Sequence, residues 1–267
     1  MKVCVVGVGA IGGLLGYRLA KAGSELSCVA RGATLAALRE KGLRFASSDG
    51  IDAVPVKASD SAALLGRQDL VILAVKATSL AQAASGIAPL LGPDTIVLPA
   101  MNGVPWWFFQ GFGGELEETR LGSVDPTGSI AAAIPAKSVL GCVVHLGASC
   151  LEPGLVKSLP LKRLIVGEPS GESTPRLGRV ADALIEAGFE VERTGRIQRE
   201  IWYKLWGNMT MNPLSALTGA TMDRILGDPI VARFCMDVMA EAKRIGARIG
   251  CPIDQTEEDR MAISRTL

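Results

Sequence analysis

Three places in the chain carry residues whose types and spacing could do chemistry. The first is Gly7-Val8-Gly9-Ala10-Ile11-Gly12, a GxGxxG run between a short β-branched stretch and a helical pattern. Gly7 suits a tight turn, Gly9 admits a pyrophosphate close to the backbone, and Gly12 lets the helix pack on its strand. The amides of Ala10 and Ile11 at the helix start, aided by the helix dipole, would hold the phosphates. A simple tight turn between strand and helix is the plainer reading of the glycines. About 20 residues further on, where an NAD-binding chain carries Asp or Glu, this one has Ala30-Arg31-Gly32. Arg31 offers a planar, permanently charged fork that fits a 2′-phosphate, which a carboxylate would repel. The expected cofactor is therefore NADP(H), against the plainer reading of Arg31 as a surface arginine.

The second place is residues 201–213, Ile-Trp-Tyr-Lys-Leu-Trp-Gly-Asn-Met-Thr-Met-Asn-Pro. At helical spacing Trp202, Leu205, Trp206 and Met209 form a core stripe, while Lys204, Asn208 and Asn212 recur every four residues on another face. A partly desolvated lysine there could pass a proton to a ketone oxygen, with the asparagines holding a small polar substrate; a solvated lysine on an amphipathic helix is the alternative. The third place is a pair of strand ends. Lys76 follows an apolar run at 70–75 and Asn102 follows one ending near Leu98, where open α/β sheets bind ligands. The single histidine, His145, sits in a strand-like run and reads as structural. The six cysteines show no CxxC spacing, so no metal is expected and the thiols read as reduced.

These residues need elements to position them. Strand-like runs at 2–6, 25–30, 70–75 and 95–98 alternate with helical spacing at 10–22, 34–41 and 79–90, which predicts a parallel sheet. From 122 to about 192 short strand-like pieces (138–146, 154–157, 164–166) precede a helix at 176–187 and a strand at 189–192. Beyond Gly195 the pattern is helical almost throughout, with breaks at Gly219, Asp228-Pro229 and 250–252, and a last helix at 257–266. The fold class expected is α/β: an N-terminal Rossmann-type parallel-sheet domain, residues 1–194, and a C-terminal all-helical domain, residues 195–267, the latter truncated if the family comparison below holds. With 28 Lys plus Arg against 27 Asp plus Glu, a net charge of +1 gives no field to draw in nucleic acid or an anionic membrane. The apolar start, 3–19, contains five glycines and no cleavage site, and no run reaches the roughly 20 apolar residues of a span. A cytoplasmic protein acting on a small molecule is expected. An apolar stripe near 234–238 could serve a homodimer or the core.

Taken together the chain resembles the ketopantoate reductase (2-dehydropantoate 2-reductase) family. The likeness rests on residues 2–13, Arg31, Val75-Lys76-Ala77, Asn102-Gly103 and residues 202–217; the block from Lys204-Leu205 to Asn212-Pro213-Leu214 is its most specific part. The resemblance implies NADPH-dependent reduction of 2-dehydropantoate to pantoate on the way to pantothenate and coenzyme A. It makes Lys204 the general acid, has Asn208 and Asn212 position a 2-ketoacid, places Asn102 and Lys76 at nicotinamide and substrate, and gives Arg31 the 2′-phosphate. Members of the family continue past the position of Leu267 with a serine and a Gly-Arg-x-x-Glu element, which this sequence does not reach. Trp106-Trp107, expected beside the cleft, points to a subgroup with another ketoacid. Two rivals stand beside this reading: an NADP-dependent dehydrogenase of another 2-keto or 3-hydroxy acid, and a non-catalytic NADP(H) sensor.

Overall fold

Val3, Cys4 and Val5 have no solvent exposure in β1 (Lys2–Val6), because a central strand of a parallel sheet is covered on both faces. The computed structural model describes residues 1–264. After β1 come α1 (Ala10–Lys21), β2 (Glu25–Val29), α2 (Gly32–Lys41), β3 (Leu43–Ser47), β4 (Gly50–Val54), β5 (Lys57–Ser59), β6 (Leu70–Leu73), α3 (Leu80–Ser85) and β7 (Ile96–Pro99). The first sheet runs β5-β2-β1-β6-β7, all parallel. The strand order reverses at β1, so the ligand crevice of such a sheet opens at the carboxyl ends of β1 and its neighbours.

The next elements, α4 (Ser129–Ala133), β8 (Gly141–Glu152), β9 (Leu155–Gly167), α5 (Pro175–Glu186) and β10 (Glu190–Arg193), build a second sheet around β9. That strand is long enough to pair antiparallel with β8 along one edge and to take β3 and β10 end to end along the other. Helix α1 lies between the sheets. A Cβ on Gly13 would press on Val156 of β9 at 2.6 Å, and one on Gly16 would touch Val5 of β1 at 3.2 Å. Small residues thus let one helix serve two sheets.

Two compact units result, Met1–Ile197 and the chain from Gln198 onward. The second holds most of α6 (Ile197–Thr218), then α7 (Met222–Gly227), α8 (Pro229–Arg248) and α9 (Glu257–Ser264). Its core centres on Trp206, Cys235 and Met239, all without exposure, with Trp206 Nε1 donating to the Met239 carbonyl at 2.9 Å. Asp228 caps α8 by accepting from the Ile230 and Val231 amides at 2.9 and 3.1 Å, and Pro229 occupies the first turn, where no amide is needed.

Several expectations are corrected. Residues 79–90 do not form one helix: Gly86 and Pro89 confine α3 to Leu80–Ser85, with 3-10 turns at Ala77–Ser79 and Ala88–Leu90. The pieces at 154–157 and 164–166 are one strand, and Pro160 falls at the irregularity where the β8 register shifts between Leu146 and Ala148. Leu205 is only half-buried while Thr210 and Met211 go inside, so the buried stripe of α6 is rotated from the one expected. The apolar stretch at 234–238 splits, with Cys235 buried and Phe234 exposed. Residues 265 and 266 of the expected last helix lie outside the described residues.

Candidate active site

The turn from β1 to α1 needs glycine at two of its three glycine positions and leaves space at the third. Gly7 has φ +96°, and a Cβ on it would meet the Ala74 carbonyl oxygen at 2.8 Å and Val75 Cγ1 at 2.7 Å. A Cβ on Gly12 would collide with the Gly7 carbonyl oxygen and reach Ala74 Cβ at 2.9 Å, which is the close packing of helix on strand. Nothing lies within 4 Å of a Cβ on Gly9. Gly9 caps α1 without a side-chain hydrogen bond and no acidic residue occupies the first turn, so the free amides of a 12-residue helix face that open space. An empty approach over free helical amides fits a dinucleotide's pyrophosphate.

A cleft of about 590 Å³ extends from this loop, with Gly7, Gly9, Arg31, Thr34, Asp60 and Ser61 among its walls. The Ala30 amide donates to the Ser59 carbonyl at 3.0 Å, which holds the end of β2 against the end of β5 and sets Arg31 beside Asp60. Arg31 is the extended residue that precedes α2, and among the described residues none forms an ion pair or hydrogen bond with its guanidinium. Thr34, in the first turn of α2, adds a hydroxyl to the same wall. Asp60 and Ser61 were missed from sequence because Lys57–Ser59 is too short a strand to show a period; the Ser59-Asp60-Ser61 run at its end was the available signal.

Lys76 and Asn102 both stand beyond the carboxyl ends of neighbouring strands, β6 and β7, which the Ala100 amide extends by donating to the Leu73 carbonyl at 2.8 Å. Both are exposed at that edge, and neither lines the 590 Å³ cleft. Trp106 and Trp107 do not line the 590 Å³ cleft, and Trp106 borders a separate cavity of about 260 Å³ with Gln110 and Arg120. Their exposures of 5% and 1% make them core, and Trp106 Nε1 donates to the Ile134 carbonyl at 3.2 Å. His145 lies in β8 opposite Arg163, within the second sheet.

On α6 the stripes sort by what they pack against. Trp202 and Trp206 donate to carbonyls of α8 at 3.2 and 2.9 Å, Tyr203 OH donates to Gln255 Oε1 at 2.6 Å, and Gly207 leaves room for the Arg260 guanidinium of α9. Lys204 and Asn208 form the next stripe, half-buried, with Asn212 exposed one turn further on. Pro213 follows inside the helix and withdraws the donor that the Met209 carbonyl would otherwise have. Away from these residues the buried thiols of Cys4 and Cys28 are inert: burial pushes Cys4 up to about 12 and raises Cys28 as well. Among the described residues there is no group of three or more metal-binding side chains, and no helix long and apolar enough to cross a membrane.

A parallel sheet reversing at β1, with open helical amides at the crevice, defines a Rossmann-type dinucleotide-binding protein. The chain belongs to the ketopantoate reductase family: residues 3–171 match the ketopantoate reductase PanE/ApbA model and residues 196–267 its C-terminal counterpart. A 2-dehydropantoate 2-reductase of Mesorhizobium japonicum is 45% identical over 251 residues, 94% of this chain and 77% of the relative. A crystal structure assigned to ketopantoate reductase, from Ralstonia solanacearum, superposes with TM-score 0.97 at 56% identity, covering 100% of this chain and 83% of that one. D-mandelate dehydrogenase, solved with NADH and anilino(oxo)acetate, shares the fold at TM-score 0.80 and 21% identity, over 100% of this chain and 79% of that one. The protein is therefore an oxidoreductase of a nicotinamide-dependent family.

Proposed function

We propose that the protein reduces 2-dehydropantoate to pantoate with NADPH, in the cytoplasm, as a step toward pantothenate and coenzyme A. The observation that carries the cofactor choice is Arg31: an unpaired guanidinium at the start of α2, beside the Thr34 hydroxyl and at the rim of the dinucleotide cleft. A 2′-phosphate placed there would meet a permanent cation, a hydroxyl and the positive end of a helix. The substrate choice is supported by the 45% identical 2-dehydropantoate 2-reductase.

The reduced nicotinamide supplies a hydride to the ketone carbon. Lys204 donates the proton that the carbonyl oxygen takes up as its charge develops, and Asn208 and Asn212 hold the substrate's polar groups along the same helix face. The glycine loop and α1 hold the pyrophosphate, while Lys76 and Asn102 supply polar contacts at the ends of β6 and β7.

The test is loss of reduced-nicotinamide absorbance with NADPH or NADH and a panel of 2-ketoacids that includes 2-dehydropantoate. Lys204→Ala should lower kcat by about 10²- to 10⁴-fold, the usual contribution of a general acid. Arg31→Ala should remove most of the preference for NADPH over NADH while leaving the NADH rate near its native value. Faster turnover of another ketoacid would replace the substrate, and NADPH binding without turnover of any would replace the enzyme with a sensor.

A further inference from the structure

A second cavity, of about 260 Å³, lies within the first unit and shares no lining residue with the cleft over the glycine loop. It sits between the loop that follows Asn102 and helix α4. Its floor is apolar, made by Leu121, Ala131 and the indole of Trp106, which the bond to the Ile134 carbonyl holds in place. Three polar side chains stand around that floor: Gln110, Arg120 and Asp125. The segment that carries them is closely tied. Glu117 accepts from the Gly111 amide at 2.8 Å and the Gly113 amide at 2.5 Å, and Glu118 takes a left-handed φ of +60° while its amide donates to the Phe109 carbonyl at 3.0 Å. A strained residue of this kind persists only where its surroundings hold it. The chain returns from that turn with Arg120 Nη1 beside Gly128, 3.5 Å from where a Cβ there would stand. Asp125 is fixed as well, accepting from the Ile130 and Ala131 amides at 3.2 and 2.9 Å. A carboxylate offers about four lone-pair sites, so Asp125 can still accept from a ligand. Among the described residues none forms an ion pair or hydrogen bond with the Arg120 guanidinium or the Gln110 side-chain amide, so Arg120 and Asp125 do not pair with each other.

We propose that this cavity binds a free aliphatic α-amino acid. The proposal goes beyond the reductase reading and does not depend on it. A ligand with only a carboxylate would satisfy Arg120 but bring its charge against Asp125, and one with only an amine would do the reverse. A zwitterion satisfies both. Its carboxylate meets the guanidinium fork of Arg120, its ammonium donates to the remaining lone pairs of Asp125, and Gln110, which both donates and accepts, serves either group. Its side chain then lies on Trp106, Leu121 and Ala131, where aliphatic surface leaves water. The size agrees: about 260 Å³ is the liquid volume of about nine waters, which accommodates leucine or valine and is too small for a nucleotide.

The experiment is isothermal titration calorimetry with L-leucine, with isocaproate, which lacks its ammonium, and with isopentylamine, which lacks its carboxylate. It uses the native chain, Arg120→Gln, Asp125→Asn and Lys204→Ala. The native protein should bind L-leucine with a dissociation constant in the millimolar range or below, on the order of tenfold more tightly than either fragment. Arg120→Gln, at an exposed position, should melt like the native chain and bind L-leucine on the order of tenfold more weakly. Asp125→Asn keeps an oxygen for the α4 amides but loses the charge, and should bring L-leucine and isocaproate within about threefold of each other. Lys204→Ala should bind L-leucine as the native chain does, and so should the native chain saturated with NADPH. No saturable heat with L-leucine at millimolar concentrations, a fragment that binds as tightly as L-leucine, native affinity in Arg120→Gln, or competition with NADPH each overturns the proposal. Absence of ketoacid turnover overturns the proposed function alone, since the leucine titration needs neither cofactor nor ketoacid.

Discussion

Arg176 clasps Glu168 through two parallel hydrogen bonds, Nε to Oε1 at 2.8 Å and Nη2 to Oε2 at 2.5 Å, and Glu168 is 2% exposed. The same guanidinium reaches the Val139 carbonyl at 3.2 Å and the Lys137 carbonyl, and Thr174 Oγ1 donates to the carboxylate at 2.5 Å. Val139 pairs in turn with Val97 of β7, so one buried carboxylate ties the end of β9 and the start of α5 to the strand that leads to Asn102.

Removing the cation alone should therefore cost more than the pair is worth. Arg176→Ala strands a buried charge and is expected to lower stability by about 3 kcal/mol, while Arg176→Met combined with Glu168→Leu should recover much of the loss. Urea unfolding of the three proteins checks this. A loss below about 1 kcal/mol in Arg176→Ala would mean that water reaches the carboxylate freely.

Tyr17 and Asp52 make stability depend on pH at both extremes. Tyr17 OH donates to Asp52 Oδ2 at 2.5 Å and Lys21 Nζ lies 2.9 Å from the same oxygen, which together hold Asp52 down to about 2. A depressed carboxylate stabilises the fold above its ordinary value of about 4, and that contribution is lost as pH falls toward 2. Burial, and then the bond to Asp52, pushes Tyr17 up to about 12; its contribution is present below the ordinary value of about 10 and lost as pH rises through 12. Asp52→Asn should flatten the acid limb of a stability profile between about pH 4 and 2 and bring the Tyr17 titration down. An acid limb as steep as the native one would place the responsible carboxylates elsewhere.

Gly246 sits inside α8, where alanine is intrinsically better by about 1 kcal/mol. Yet a Cβ there would lie 2.6 Å from the Cys251 carbonyl oxygen and against the Trp202 indole, whose Nε1 donates to Ala242 at 3.2 Å. Backbone cannot step aside as a flexible side chain can. Gly246→Ala is expected to destabilise by about 1–3 kcal/mol and to shift tryptophan emission; a more stable variant with native emission would show that α8 and α6 are not packed this closely.

What could be read in advance follows from how each signal is encoded. The β1-α1-β2 unit was legible because Gly7, Gly9 and Gly12 fall between a buried strand and an apolar helix, so local pattern and tertiary role agree. The β3-β4 hairpin was not legible. Its residues alternate weakly, β4 is exposed at four of its five positions, and its partner β9 lies about a hundred residues away in sequence. Asp60 was missed because β5 is only three residues long and is held as a strand by pairing with β2. The Trp106-Trp107 pair misled because large aromatics fill cores and line sites equally well, and only burial tells the two apart.

Gly9 and Gly12 separate binding from folding within one motif. Gly9 has φ −90° and ψ −157°, an extended conformation open to alanine, and its Cβ would point into empty space. Gly9→Ala should fold with stability within about 0.5 kcal/mol of native. Its methyl would stand where the pyrophosphate must approach, so NADPH affinity should fall at least about tenfold. Gly12→Ala carries its methyl into the Gly7 carbonyl and Ala74, between backbone segments that cannot separate without moving α1 off the sheet. That variant should lose about 1–3 kcal/mol of stability before any ligand is added. Thermal unfolding with and without NADPH distinguishes the two: Gly9→Ala should melt like the native protein alone and gain little from the cofactor. A Gly9→Ala protein stabilised by NADPH as strongly as the native one would place the pyrophosphate away from this turn and remove the glycine loop from the binding site.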